Sequence, residues 1–289
     1  MHWPTQGPKL VFTHIPKSAG TSLRHALRAA LQAERVADGF DRSLYGGFSG
    51  FHAFGPEARA TTALSLEELP AAPDIVIGHY AASTTRARYP QAPHMTVLRE
   101  ARARALSLWI YWRSVPPAAL AGWGGWGRYV ARATAPLADF LSDREVAAQT
   151  DNVGLRLLLW PHPLIPDSGF IAEKDDAPLL ALAKGVLDSF DFVDVIENPR
   201  FESRLAGWVG GGLRLERLNE SLPVPAELSV PLAQMLTPEA MAALAQRSRL
   251  DDVLWRHVAR LHLPAERIEA VREAAYAAAI ARHALLMAG

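Results

Sequence analysis

The chain has 289 residues, 49% hydrophobic and 21% charged, which is the make-up of a globular protein with ample material for a core. Thirty basic and thirty acidic side chains cancel, so net charge gives no reason to expect nucleic acid or a membrane surface, and an anionic ligand would need a local site. There is no cysteine, which excludes disulfides, thiolate catalysis and cysteine-ligated zinc.

Met1 to Lys9 lacks the apolar stretch of a secretion signal and no run approaches membrane-span length, so a cytoplasmic protein is expected. A first strand is predicted near Leu10 to Ile15, stopped by Pro16. Lys17-Ser18-Ala19-Gly20 is a tight connection, and Thr21 or Ser22 is expected to cap a helix carrying Leu23, Ala26, Leu27, Ala30 and Leu31 on one face. Strand, small-residue loop and helix in succession open an α/β fold.

From Asp38 to Pro73 the pattern is weak, and Tyr45 to Phe51 reads as a surface loop carrying aromatics. Asp74 to Ile77 is a second strand, followed by Gly78-His79; His94 to Leu98 is a third, ending at Arg99. A helix follows from Ala101 to Trp112, with Trp109 and Trp112 facing the core and Arg102, Arg104 and Arg113 on a solvated face. Gly122 to Gly127 is a flexible insertion whose Trp123 and Trp126 would either stack on an acceptor or pack in a contact. Helical patterns return over Leu137 to Trp160, a fourth strand is expected at Phe190 to Ile196, and helices follow from Pro238, including one from Pro264 to Met287. No linker divides the chain, so one α/β domain is expected: a mainly parallel, P-loop-like central sheet flanked by helices, with a helical part over about 236–289.

In open parallel sheets ligands sit beyond the carboxyl ends of the strands. Three predicted strands end at the 16–22 loop, at His79 and at Arg99. A loop running into a helix N-terminus suits phosphate, Lys17 adds a cation, Thr21 and Ser22 add hydroxyls, and Ala19 and Gly20 keep the backbone accessible. The loop is not that of nucleoside-triphosphate binders, because its lysine precedes the small residues, and His79 stands where an Asp would hold magnesium.

His14-Ile15-Pro16-Lys17-Ser18-Ala19-Gly20-Thr21-Ser22-Leu23 closely resembles the 5′-phosphosulfate loop of the sulfotransferases that use 3′-phosphoadenosine-5′-phosphosulfate (PAPS), most of all the branch with the carbohydrate 2-O-sulfotransferases and bacterial relatives. That family's second motif, a strand ending in Arg and a helix bearing Ser eight residues on, is matched by Arg99 and Ser107 with the aromatic stretch Trp109 to Trp112 after them. Ala101 stands where the family usually has Pro. Weaker echoes occur at Asp151-Asn152, Phe190 to Glu197, Asn219-Glu220-Ser221 and Asp251 to Trp255.

The resemblance implies that Lys17 and the loop from Ser18 to Ser22 hold the 5′ end of PAPS, that Arg99 and Ser107 hold its 3′-phosphate, and that a carbohydrate or glycan-like hydroxyl is the acceptor. His79 matches the Gly-His pair of the 2-O-sulfotransferase branch and is expected to be the general base, with Lys17 stabilising the leaving group and no metal required. Among other histidines, His14 would orient the loop, His94 begins a strand at the wrong edge, and His52 sits in the aromatic loop; Glu100 is expected to be a structural partner for an arginine. Two rivals remain open: a small-molecule kinase with an aberrant loop, and a non-catalytic scaffold binding through its helical end. No nucleic-acid partner is expected, and oligomeric state is not legible.

Overall fold

Short runs of apolar residues, buried on both faces, build an all-parallel sheet in the computed structural model, which describes residues 7–45, 63–216 and 223–287. The strands are β1 (Leu10–Thr13), β2 (Val36–Ala37), β3 (Ile75–Gly78), β4 (His94–Leu98) and β5 (Phe192–Val195), in the order β2-β3-β1-β4-β5. Parallel strands covered on both sides read as continuous apolar runs, and β1, β3 and β4 are buried at every position. The four predicted strands are therefore present, His94–Leu98 with the expected bounds and the others with ends moved by at most two residues. β2 is two residues long, too short to leave a period in the sequence.

The longer helices are α1 (Gly20–Ala30), α2 (Ala82–Arg88), α3 (Ala101–Arg113), α4 (Gly124–Ala131), α5 (Leu137–Ser142), α6 (Val153–Leu159), α7 (Asp176–Asp188), α8 (Phe201–Val209), α9 (Pro238–His262) and α10 (Ile268–Met287). Strand side chains alternate between faces. Leu10, Phe12, Ile75, Ile77, Met95 and Val97 meet α1 and α8 through Leu23, Leu27, Phe201 and Leu205. Beyond the strand ends, Ile15, Leu98 and Val195 join α6, α7 and α9 in a second cluster that includes Trp255. Truncating a residue such as Leu27 would cost about 2–5 kcal/mol.

Several expectations are corrected. α1 begins at Gly20, with Ala19 as its N-cap in a left-handed conformation, so neither Thr21 nor Ser22 caps it. The glycine-rich 122–127 stretch is helical, a 3-10 turn over Ala121–Trp123 running into α4, held down because Trp126 meets Trp112 edge-on at 5.5 Å and stacks on Tyr129 at 6.1 Å. The helical patterns over 137–160 are realised as separate short helices: Asp143 ends α5 in an extended conformation, and Asn152 turns left-handed before α6. Nor do the arginines of α3 form a solvated face. Arg113 is buried and donates to the carbonyls of Ala133, Thr134 and Leu228 at 2.7–3.1 Å, while Arg102 pairs with Glu100 at 2.7 Å and Glu273 at 3.0 Å. Long cations are usually exposed, but here irregular backbone carbonyls need donors. The helical C-terminal part is present as expected and packs closely on the rest. α9 packs on α3, α5, α7 and β5, and α10 packs on α3.

The echoes at Asp151-Asn152 and Asp251 mark a polar knot that ties α9 to α6. Asp251 accepts from the Gly154 and Leu155 N–H groups at 2.9 and 2.8 Å, capping α6 from another helix. Asn152 accepts from Leu250 N–H at 2.8 Å, and Asp151 accepts from Arg156, Arg247 and Ile171 N–H at 2.8–3.2 Å.

Candidate active site

β1, β3 and β4 lie side by side with Thr13 opposite both Gly78 and Thr96. Parallel pairing therefore delivers the β1–α1 loop, His79 and Arg99 to one edge of the sheet, as expected, and β1 is where the strand order changes direction, the usual ligand crevice of such sheets.

The loop has unusual backbone. Lys17 and Ala19 adopt φ values of 67° and 60°, each costing about 1–3 kcal/mol for a residue with a Cβ. Left-handed residues beside ordinary ones are the backbone geometry of anion-binding concavities, and here they lead into the positive end of α1. Gly20 is required for a separate reason: a Cβ there would lie 1.8 Å from Cε1 of His14, whose ring lies across the start of α1. His14 stands just past β1, so its part in shaping the loop is direct.

Lys17 is half-buried and, among the described residues, has no carboxylate partner; its Nζ sits 3.9 Å from the centre of the Tyr111 ring. Burial, with the neighbouring Arg99 and Arg282 cations, lowers its pKa to about 8. Arg99 donates to the Lys17 carbonyl at 3.0 Å, which ties the end of β4 to the loop. Its affinity for a proton is lowered by burial, partly offset by Glu197 and further reduced by Arg282. Glu100, expected to be structural, caps α3 by accepting from Ala103 N–H at 2.7 Å and pairs with Arg102. Glu197 accepts from Glu100 N–H and from the Trp255 indole, at 2.8 and 2.9 Å.

Ser107 is buried on α3, one turn before Tyr111 and so on the same helical face as the ring beneath Lys17. Ser18 is fully buried and its Oγ has no partner among the described residues. It adjoins a space behind the loop, of about 10 Å³, lined also by Arg99, Arg104 and Asp251. Arg104 Nε and Nη1 have no partner among the described residues. Thr21 is exposed and Ser22 half-exposed on the first turn of α1.

His79 is held by its surroundings in one tautomer. Its Nδ1 lies 2.7 Å from the His14 carbonyl, so Nδ1 carries the hydrogen and Nε2 the lone pair. Burial, with Lys17 nearby, brings its pKa down to about 4 despite that hydrogen bond, leaving a neutral imidazole. The His14 and His79 rings lie 4.4 Å apart, Phe40 is 5.0 Å from His79, and Trp126 is 6.3 Å from Phe40. Gly78 permits this arrangement, since a Cβ would come within 2.4 Å of the Tyr80 ring and 2.7 Å of the Gly39 carbonyl. His94, by contrast, is at the opposite end of β4 and bonds to the Tyr89 carbonyl. His52, most of the 45–51 loop and Asn219 to Ser221 lie outside the described residues.

A roomier hollow of about 400 Å³ lies between α4 and α5, beside Arg132 and Asp143. Its one lining cation is already taken up by carboxylates, because Arg132 pairs with Asp143 and Glu145. The strand-end site also includes residues that sequence reasoning missed. Tyr111 lies between Trp109 and Trp112, which were read as core, and was not singled out, although its spacing from Ser107 was a usable signal; Arg282 comes from the far end of the chain, with no local signal. Set against models of known protein families and against curated proteins, the chain matches none.

Proposed function

We propose that this chain is a sulfotransferase that uses PAPS to sulfate a hydroxyl group, with a carbohydrate or glycan-like acceptor. The observation that carries the proposal is the pairing at one sheet edge of a cation group, Lys17, Arg99 and Arg282, with a neutral histidine whose Nε2 is set as a proton acceptor. The residues fit such a donor: strained backbone leading into a helix N-terminus, and a lysine with no carboxylate to neutralise it among the described residues.

PAPS would supply an activated sulfuryl group whose leaving group is a stable phosphate. Lys17 neutralises charge growing on the bridging oxygen, a contribution typically worth ~10²–10³ in rate for one well-placed donor. Arg99 holds the 3′-phosphate, where a guanidinium can make two parallel hydrogen bonds. His79 Nε2 takes the acceptor's proton as the new O–S bond forms and the bridging S–O bond breaks. The His14 carbonyl keeps the proton on Nδ1 and stabilises the imidazolium that results. Phe40 and Trp126 give the side next to His79 an aromatic lining, which favours a sugar ring over a small polar alcohol.

The test is calorimetric titration with adenosine 3′,5′-bisphosphate, with ATP plus magnesium and 5′-AMP as controls. Selective binding of the bisphosphate is expected. Preference for ATP would replace this proposal with a kinase, and no binding at all would leave a scaffold.

A further inference from the structure

α10 runs along α3. Glu273 meets Arg102 at 3.0 Å, and the Arg102 guanidinium lies 4.3 Å from the Tyr276 ring centre. Two turns beyond Tyr276, on the same face, is His283. Its side chain is 2% exposed, yet neither Nδ1 nor Nε2 has a hydrogen-bond partner among the described residues. His94, at the far edge of the sheet, differs in that its Nε2 is bonded to the Tyr89 carbonyl and only Nδ1 is left without a partner among the described residues.

The groups acting on His283 come from three separate parts of the chain: Arg99 at the end of β4, Arg282 beside it on α10, and Lys17 in the loop. All are cations. Together with burial they drive its pKa down to about 3, so the ring is neutral and keeps one N–H to donate. Arg99 exerts the largest of the three charge effects, and Arg282 acts on both Arg99 and Lys17. Three cations act on an N–H that has no partner among the described residues, and Glu197 beside Arg99 offsets their mutual repulsion only in part; a dianion among them would attract each cation and accept from that N–H.

We infer that His283 and Arg282 on the last helix form the outer wall of the donor pocket and contact the phosphomonoester dianion that Arg99 binds, so that the C-terminal helix sets selectivity for a 3′-phosphorylated nucleotide. This rests on the donor assignment made above. Lys17 then faces the 5′ end, while Arg99, Arg282 and His283 surround the 3′-phosphate from two sides. The consequence is specific: loss of either α10 residue should weaken a ligand that carries the 3′-phosphate and leave one without it nearly unaffected.

The experiment compares binding of adenosine 3′,5′-bisphosphate, 5′-AMP and inorganic pyrophosphate to the full chain and to Arg282→Gln, His283→Gln and His283→Ala, by calorimetry at pH 7. Arg282 is exposed, so Arg282→Gln should fold normally even if a change at the buried His283 does not. Each variant is expected to lose about tenfold in bisphosphate affinity with little change for 5′-AMP, narrowing the ratio between the two. Folded variants that keep the parent ratio would overturn the inference and leave the donor assignment standing. If the parent chain binds pyrophosphate but not the bisphosphate, and the variants weaken pyrophosphate, the wall is upheld as an anion site and the donor assignment falls. A parent chain that binds none of the three overturns both.

Discussion

Two regions of the molecule bury charge and treat it in opposite ways. Around the start of α6, Asp151 and Asp251 are enclosed, and each oxygen meets a guanidinium, an amide or a backbone N–H. At the strand ends, Lys17, the half-buried Arg99 and the exposed Arg282 oppose one another, and His283 and Ser18 have polar atoms with no partner among the described residues. Burial of charge alone therefore does not mark a site. What separates the two is how far the chain supplies the partners itself: a fully satisfied buried network serves folding, whereas an excess of cations beside unpartnered polar atoms suits an anionic ligand.

The contrast can be broken most sharply with Lys17→Ala, which should lower kcat/KM for sulfuryl transfer on the order of 10⁴-fold while leaving the melting temperature near that of the parent. A large loss of stability would place Lys17 with the knot instead. Asp151→Ala should do the reverse. Removing one member of the buried pair with Arg156 should cost about 3–5 kcal/mol in urea unfolding, with bisphosphate affinity per folded molecule unchanged.

His79→Ala sharpens the division within the site. It should reduce kcat by about 10²–10³ without altering bisphosphate affinity, and equal loss of binding would show that the ring only supports the loop. The smallest effect is that of pH. The Lys17 pKa of about 8 lies below its ordinary 10.5, so the folded chain binds fewer protons than the unfolded chain between those values, and unliganded stability should rise with pH across that window. An anion needs the ammonium form. Bisphosphate affinity should accordingly fall as pH rises through about 8, by at most about tenfold per pH unit, and a flat calorimetric profile from pH 7 to 9 would remove Lys17 from contact.

Lys17, His79 and Arg99 were legible in the sequence because parallel strands are short apolar runs and whatever follows them must emerge at one edge. Arg282 and His283 were not, since an Ala-rich helix shows no local mark of where its face will dock. Arg104 and Arg113 were misread because long cations on a helix are ordinarily solvated, and only the tertiary structure reveals the carbonyls that draw Arg113 inward. β2, at two residues, is made by its pairing with β3 rather than by its own composition.

The ring of His14 lying across Gly20 has a consequence for how such a chain can evolve. The two positions share one volume, so neither is free to drift by itself: a methyl group at position 20 is admissible only after the imidazole at 14 has given way to something smaller. Because the His14 carbonyl also fixes the tautomer of His79, through backbone that any residue provides, a substitution at 14 could preserve the hydrogen bond while releasing the steric lock. Natural variation at 14 and 20 should therefore appear as linked pairs, with position 79 unchanged beside them.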